Sequence, residues 1–353
     1  VEPAGPHAPQ PPLVAEPVGA EITTVGPDLV VVHHGTHTHR YEELEPGRVH
    51  ELDGLEVETM PDPGGELLAR FATVNDVHFG ETRCGVVEGH EHEIGPILTA
   101  EPGEPPYPVT MNEAAIAEIQ AAEVDAVFVK GDLTTDGTDE EYAAFLDTYG
   151  GAFGDRLTHV RGNHDAYEGQ AYADWPLQRI DLPGATVVLL DTTVPFRSSG
   201  GLTHEQLDEL DAIAGDADRP VVVLGHHHVW DPRSKERSDT YFGIHPDWSE
   251  RLVDVAARRP RIVGYFAGHT HRNRVRRFPQ TGDMPWVEVA CVKDYPGAWA
   301  EYRVHEGGIV QLHHRISSPE ALAWTERTRG MYLGTYADYA FGKLGDRCFM
   351  LGR

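Results

Sequence analysis

Between residues 67 and 271 one pattern recurs, a short apolar run that stops on Asp, Asn or His. "LLARFATV" runs into Asn75-Asp76-Val77-His78, "VDAVFV" into Lys130-Gly131-Asp132, and "RLTHV" into Arg161-Gly162-Asn163-His164-Asp165. "RPVVVL" runs into Gly225-His226-His227-His228 and "RIVGYFA" into Gly268-His269-Thr270-His271. Between the runs lie stretches with helical spacing of apolar residues: "MNEAAIAEIQAAE", "DEEYAAFLDTYG", "THEQLDELDAIAG" and "WSERLVDVAAR". This alternation predicts α/β architecture. In such a sheet the carboxyl ends of the strands share one edge, where ligands bind, so motifs far apart in sequence are expected to meet there.

Carboxylate oxygens and imidazole nitrogens together suit Mn, Fe or Zn, whereas a Ca site uses oxygens alone and a structural zinc site recruits thiolates. Two hydrolytic metals about 3.5–4 Å apart need a bridging carboxylate and several terminal ligands. The inventory fits two ions better than one.

The ordered set Asp76-x-His78, Gly131-Asp132, Gly162-Asn163-His164-Asp165, His226 and Gly268-His269-x-His271 resembles that of the calcineurin-like metallophosphoesterases. The resemblance implies a four-layer αββα sandwich of two mixed sheets packed face to face, preceded here by a small N-terminal all-β segment. It implies one metal on Asp76, His78, Asp132 and His271, and a second on Asp132, Asn163, His226 and His269. Asp132 would bridge, since a bridging residue must offer two oxygens; Asn163 offers a neutral carbonyl that limits the negative charge. The implied reaction is attack of a metal-bridging hydroxide on the phosphorus of a small phosphate ester. His164 is the implied general acid, an imidazole with an ordinary pKa near 6.5 being suited to proton transfer at neutral pH, and the adjacent Asp165 is expected to orient it.

Taken singly, each motif has a plainer reading as a turn or a solvated loop; their joint occurrence in order favours chemistry. His226, the first polar residue after "VVVLG", is the expected ligand, while His227 and His228 are read equally as structural or substrate-contacting. Arg272, Arg274 and Arg276 would share a strand face. They could meet a phosphate, Arg272 included, or neutralise nearby carboxylates, the second being favoured. Asp191 in "LLDTT" is expected to cap a helix or pin a loop. An EF-hand-like "DLTTDGTDEEYA" fails because Ala143 stands where a bidentate Glu is required. His90 and His92 have no apolar run before them and are read as surface loop. His37-Thr38-His39 duplicates the second His-Thr-His triplet, but it lies in a β-like segment ahead of the α/β region and is expected at the surface.

Purple acid phosphatases of the superfamily carry Tyr three residues after the bridging Asp and lack the first-motif His; here Thr135 and His78 stand at those places. The motif style is similar to bacterial class III cyclic nucleotide phosphodiesterases and glycerophosphodiesterases. The Pro usual after the His pair of the fifth strand is replaced by His228-Val229. Phosphodiester hydrolysis is the expected activity, cyclic nucleotides being one candidate substrate. A phosphomonoesterase with the same centre and a non-catalytic metal-bearing binding protein are the alternatives.

A chain of 353 residues, 40% hydrophobic, can bury a sizeable core. We expect a Pro-rich tail and small β segment over 1–66, a metallophosphoesterase domain over 67–316, and a C-terminal helix with an aromatic tail over 317–353 packing on it. "LEPGRVHEL" resembles the Leu-x-Pro-Gly corner of fibronectin type III domains, in a segment too short for a complete one. The 84–109 insertion, the 229–246 loop and Tyr336, Tyr339 and Phe341 are candidate pocket walls. A formal net charge of -28 makes nucleic acid and anionic membranes poor partners. No run approaches the roughly 18 apolar residues of a membrane-spanning helix. Three cysteines favour a reducing compartment and the cytoplasm, while a start at Val1 leaves export open. The oligomeric state is left open.

Overall fold

The computed structural model describes residues 19–87 and 94–352. The Pro-rich start and the His90/His92 pair lie outside the described residues. Strands β1 (Glu21–Val25), β2 (Val30–His34) and β3 (His37–Tyr41) form an antiparallel sheet, and β4 (Val49–Leu52) pairs with β5 (Leu55–Glu58). β2 opens on three successive valines because both its faces are covered there. Val30 and Val32 pack with Val25 and Val57, while Val31 and the preceding Leu29 pack on Val310 and Leu312 of the main body. Arg347 donates to the Ile22 and Thr23 carbonyls and Arg329 pairs with Glu21, so the segment is seated firmly on that body.

The main body comprises β6 (Leu67–Val74), β7 (Ala126–Lys130), β8 (Leu157–Val160), β9 (Leu177–Leu182), β10 (Ala185–Leu190) and β11 (Val221–Gly225). It continues through β12 (Ile262–Ala267), β13 (Arg274–Arg277), β14 (Pro285–Glu288), β15 (Ala298–His305), β16 (Gly308–Arg315) and β17 (Phe349–Leu351). One six-stranded sheet has the order β17-β16-β15-β6-β7-β8, parallel through β6, β7 and β8; the other has the order β13-β14-β12-β11-β10-β9, parallel through β14, β12, β11 and β10. β7, β10 and β11 are buried at every position, which is why they read as continuous apolar runs. The sheets face each other across Phe71, Phe128, Leu189, Leu224, Phe266 and Tyr302. Phe71 stacks on Tyr302 with ring centroids 4.5 Å apart; truncating one such buried aromatic typically costs about 3–5 kcal/mol.

Helices close the outer faces. On the first sheet lie α1 (Tyr107–Ala121), and α2 (Asp139–Phe145), which passes through a π-helical turn into the short α3 (Gly151–Phe153). α4 (His204–Asp216) and α5 (Pro246–Arg258) cover the second. α6 (Pro319–Thr328) and α7 (Tyr336–Phe341) join the first group, followed by α8 (Leu344–Arg347). Thr138 with Glu141, and Thr203 with Gln206, form capping boxes on α2 and α4, and Pro246 and Pro319 open α5 and α6. The expected αββα sandwich is the fold found. The C-terminal stretch does more than lie on it: β17 pairs with β16 and so extends the first sheet.

Candidate metal centre

β6, β7 and β8 of one sheet and β11 and β12 of the other end at a common rim. Backbone hydrogen bonds stitch the loops there: Asp76 N to Gly131 O at 3.0 Å, His78 N to Asp132 O at 3.0 Å, and Gly268 N to His226 O at 2.9 Å. The backbone is unusual at this rim. Asp76, His78, Asp132, His269 and His271 take φ of 53°, 47°, 49°, 68° and 53°. L residues rarely adopt this left-handed conformation, and it gathers at functional sites. Two glycines allow the close approach: a Cβ on Gly131 would lie 2.5 Å from His226 Nδ1, and one on Gly162 2.2 Å from Asp132 Oδ1.

Asp132 Oδ2 lies 3.5 Å from His78 Nε2 and 3.3 Å from His226 Nε2. One carboxylate oxygen thus faces imidazoles delivered by both sheets, in place of the two oxygens expected from the sequence; the other, Oδ1, accepts from His164 N at 3.0 Å. Asp76 Oδ1 is 3.3 Å from His271 Nε2, and Asn163 Oδ1 is 3.1 Å from His226 Nε2. Backbone carbonyls, which can only accept, fix the tautomers. His226 Nδ1 donates to Lys130 O at 2.8 Å and His269 Nε2 to Phe242 O at 2.6 Å, leaving His226 Nε2 and His269 Nδ1 as lone-pair donors. His164 Nδ1 donates to Thr135 O at 2.6 Å, so its Nε2 is the atom free to exchange a proton.

Burial pushes His78 and His269 well below the ordinary imidazole range, helped by His164 and Lys293 at the first and by His226 at the second, so both rings stay neutral. Burial would do the same at His226 and His271. There, however, Asp132 draws His226 up to about 9, and Cys291 and Asp76 draw His271 well above its usual value, so both rings hold a second proton at neutral pH that a bound cation would displace before their lone pairs could ligate. Burial also opposes ionisation of Asp132, yet the imidazoles of His226, His164 and His78 hold its carboxyl well below the usual range. The rim therefore carries ionised carboxylates that recruit positive charge.

These donors fit transition cations. Two carboxylates, an amide carbonyl and several imidazoles are the mixed N/O set such ions prefer. Both ring nitrogens of His78 are buried without a hydrogen-bond partner, a costly arrangement unless something else engages them. Asp76, His78 and His271 bring ligand atoms within 4.8 Å of one another, as do His226, His227 and His269, and His78, Asp132 and His164.

The structure revises some expectations. Asp165 does not orient His164: its buried carboxylate accepts from Leu133 N, Thr134 N, Thr134 Oγ1 and Gly162 N, which locks the β7 and β8 loops together. The Thr135 carbonyl holds His164 instead. His227 and His228 are both buried, the first bonded to Thr192 Oγ1 at 2.8 Å with its ring centroid 4.5 Å from that of His269. The second packs on Tyr241. Arg272 commits both Nε and Nη2 to Glu288 Oε2 at 2.8 Å, so its guanidinium is engaged within the protein, as the favoured reading of the cluster expected; Arg274 and Arg276 face the other oxygen of the same buried carboxylate at 3.9 and 3.5 Å. Asp191 pins a loop, accepting from Arg161 and from both N and Oγ1 of Thr193.

One carboxylate escaped the reading of the sequence. Asp294 Oδ2 lies 3.6 Å from His271 Nδ1, behind the ring, and its other oxygen accepts from Tyr336 OH. It follows β14 and the apolar stretch 289–292, so the pattern of an apolar run leading into Asp, Asn or His recurs one strand further along the chain. Of the proposed wall residues, Phe242 stacks on His269 at 4.0 Å and Tyr339 OH donates to Thr270 O.

Two mixed sheets that bring Asp, Asn and His to one shared rim define a metallophosphoesterase type of architecture. Residues 69–273 match the calcineurin-like phosphoesterase family, and the chain belongs to it. It is 29% identical over 182 residues to the 3',5'-cyclic adenosine monophosphate phosphodiesterase CpdA of Pseudomonas aeruginosa, a match covering 50% of this chain and 64% of that protein. The chain therefore spans less than two thirds of that relative's length. It is 28% identical over 242 residues to a probable glycerophosphodiester phosphodiesterase GpdQ of Arcobacter nitrofigilis, covering 60% of this chain and 79% of that one. In fold it is similar to a dimetal phosphatase from Danio rerio, with a TM-score of 0.51 at 17% identity over 71% of this chain and 97% of that one.

Proposed function

We propose that this chain hydrolyses phosphodiesters of small molecules, with two transition-metal ions, Mn, Fe or Zn, held at the rim. Asp76, His78, Asp132 and His271 would hold one ion and Asp132, Asn163, His226 and His269 the other. The observation that carries this reading is Asp132 Oδ2, shared between His78 of one sheet and His226 of the other. When bound, such a pair supplies a water of lowered pKa and neutralises phosphoryl charge. The chain's own residues do the rest. The carbonyls of Lys130 and Phe242 keep two imidazoles in the ligating tautomer, and His164, anchored through Nδ1, presents Nε2 to protonate the leaving oxygen. In this reading the small β segment that follows the Pro-rich tail of 1–66, and residues 317–353, support a 67–316 catalytic domain. Three buried, unpaired thiols, Cys84, Cys291 and Cys348, support a cytoplasmic location. Among the described residues no helix is long and apolar enough to cross a membrane.

The relatives named as cyclic nucleotide and glycerophosphodiester phosphodiesterases favour diesters over monoesters. The test is a rate comparison on bis(p-nitrophenyl) phosphate and p-nitrophenyl phosphate with Mn, Fe and Zn supplied in turn, followed by cyclic nucleotides and glycerophosphodiesters. Faster turnover of the diester is expected. A strong monoester preference overturns the choice of substrate class, and inertness towards every ester with metal retained overturns the enzyme reading.

A further inference from the structure

The other His-Thr-His triplet stands on a hairpin far from any catalytic role assigned above. The β2/β3 register pairs His34 with His37 and Val32 with His39, so His34, His37 and His39 share one face. The turn between β4 and β5 reaches the same face. Its Asp53-Gly54 pair, at φ 53° and 75°, is the left-handed two-residue turn that tight hairpins favour. Asp53 Oδ2 lies 3.2 Å from His34 Nε2 and 2.8 Å from His39 Nδ1, while its Oδ1 accepts from Tyr41 OH at 2.7 Å.

We propose that His34 Nε2, His39 Nδ1 and Asp53 Oδ2 form a mononuclear zinc site on the N-terminal β segment, separate from the rim. The three ligand atoms lie within 4.8 Å of one another. Zn–N and Zn–O bonds of about 2.0–2.2 Å in a tetrahedron set ligand atoms about 3.3 Å apart. The His–Asp separations therefore need to open only slightly to admit the ion. Two imidazoles and a carboxylate leave the fourth position to water or to His37. A ligating carboxylate whose second oxygen is held by a hydroxyl has the outer support that metal sites use to fix their ligands, and Tyr41 provides it. The ligands come from two hairpins seated on a common core of Val30, Val32 and Val57, so the backbone that carries them is anchored before any ion arrives.

The full-length chain is dialysed against Zn(II) and its zinc counted, for wild type, His39→Gln and Asp53→Asn. The His39 side chain is 54% exposed, so its replacement leaves the fold intact, which thermal melting checks. Each variant is expected to retain one zinc fewer than wild type, with hydrolysis of bis(p-nitrophenyl) phosphate unchanged. Zinc is also expected to shield His39 of the wild type from diethyl pyrocarbonate, read by peptide mass spectrometry, and to lose that effect in Asp53→Asn. Equal zinc content in all three proteins, or equal labelling of His39 with and without zinc, overturns the site and leaves a hydrogen-bonded His–Asp cluster. Rim zinc is common to all three chains, so failure here is distinct from failure of the phosphodiesterase reading.

Discussion

His37-Thr38-His39 and His269-Thr270-His271 are the same three residues in opposite surroundings. The first lies in β3, where extended backbone points residues i and i+2 the same way, and its imidazoles stand together at the surface. The second follows β12, where both histidines take left-handed φ and their rings turn apart. His269 faces His226 and His227, with ring centroids 5.0 and 4.5 Å away, whereas His271 faces Asp76 and Asp294. A triplet's spacing does not decide whether its imidazoles act together. Backbone conformation and the partners buried beside each ring decide it.

The largest expected effect breaks the buried triplet's surroundings outright. Asp132→Ala removes the oxygen that faces both imidazole sets. Metal retained at the rim is lost on dialysis, and diester hydrolysis falls about 1,000-fold, equivalent to about 4 kcal/mol of barrier; wild-type rates would refute the bridging role. His164→Ala comes next. Metal stays bound, while esters with alkoxide leaving groups slow about 100-fold and nitrophenyl esters much less, because nitrophenolate departs without a proton. Equal losses on both substrate types would remove His164 from the proton-transfer role.

Much of this was legible before the fold was in view. Strands covered on both faces are apolar runs, so the short polar stretch that ends each stands out; His226 is the first polar residue after its run, while Asp76, Asp132, Asn163 and His269 lie in such stretches and are singled out by the ordered motif set that resembles the family's. What a sequence does not carry is direction. His164 and Asp165 are neighbours in a short 3-10 turn, yet one ring turns outward to Thr135 O while the other side chain turns in to four donors, so adjacency suggested an interaction that does not form. The carbonyls of Lys130, Thr135 and Phe242 are backbone groups without a residue-type signature. β17 is three residues long and shows no period. The seating of the N-terminal strands on β16 depends on packing between distant segments, which local patterns do not report.

A third outcome separates the rim's histidines from one buried without a carboxylate. His159 on β8 is ringed by Tyr142, Phe145 and Trp175, with Nε2 3.0 Å from Tyr142 OH, and burial lowers its pKa to about 4. The unfolded chain has the ordinary value near 6.5. Between those two values the unfolded state binds a proton that the folded state does not, so stability is full above pH 6.5 and is lost as pH falls towards 4. At pH 5 the loss from this group is about 2 kcal/mol, read as a drop in the urea midpoint relative to pH 7. Other buried histidines, His33 and His313 among them, add to the same acid-side loss, so His159→Gln should shrink the drop by about its own share; an unchanged pH profile in the variant would assign the acid sensitivity elsewhere.

The smallest effect probes what the two triplets share, a Tyr–carboxylate–His chain. Tyr336 OH donates to Asp294, which backs His271, as Tyr41 OH donates to Asp53, which meets His39. Asp294 also takes Lys293 Nζ at 3.1 Å, so Asp294→Asn keeps the shape while removing the charge that steadies the His271 ring. Weakening of this kind of outer support typically costs about 10-fold or more in metal affinity. We expect rim affinity to fall by about that factor, with kcat regained at saturating metal. Tyr336→Phe, which removes a donor to the carboxylate without touching the imidazole, should lose less. If excess metal restores nothing, Asp294 serves the packing of α7 rather than the ligand. If Tyr336→Phe matches Asp294→Asn, the hydroxyl rather than the charge fixes the ring, and Tyr41 becomes the residue to substitute in the hairpin.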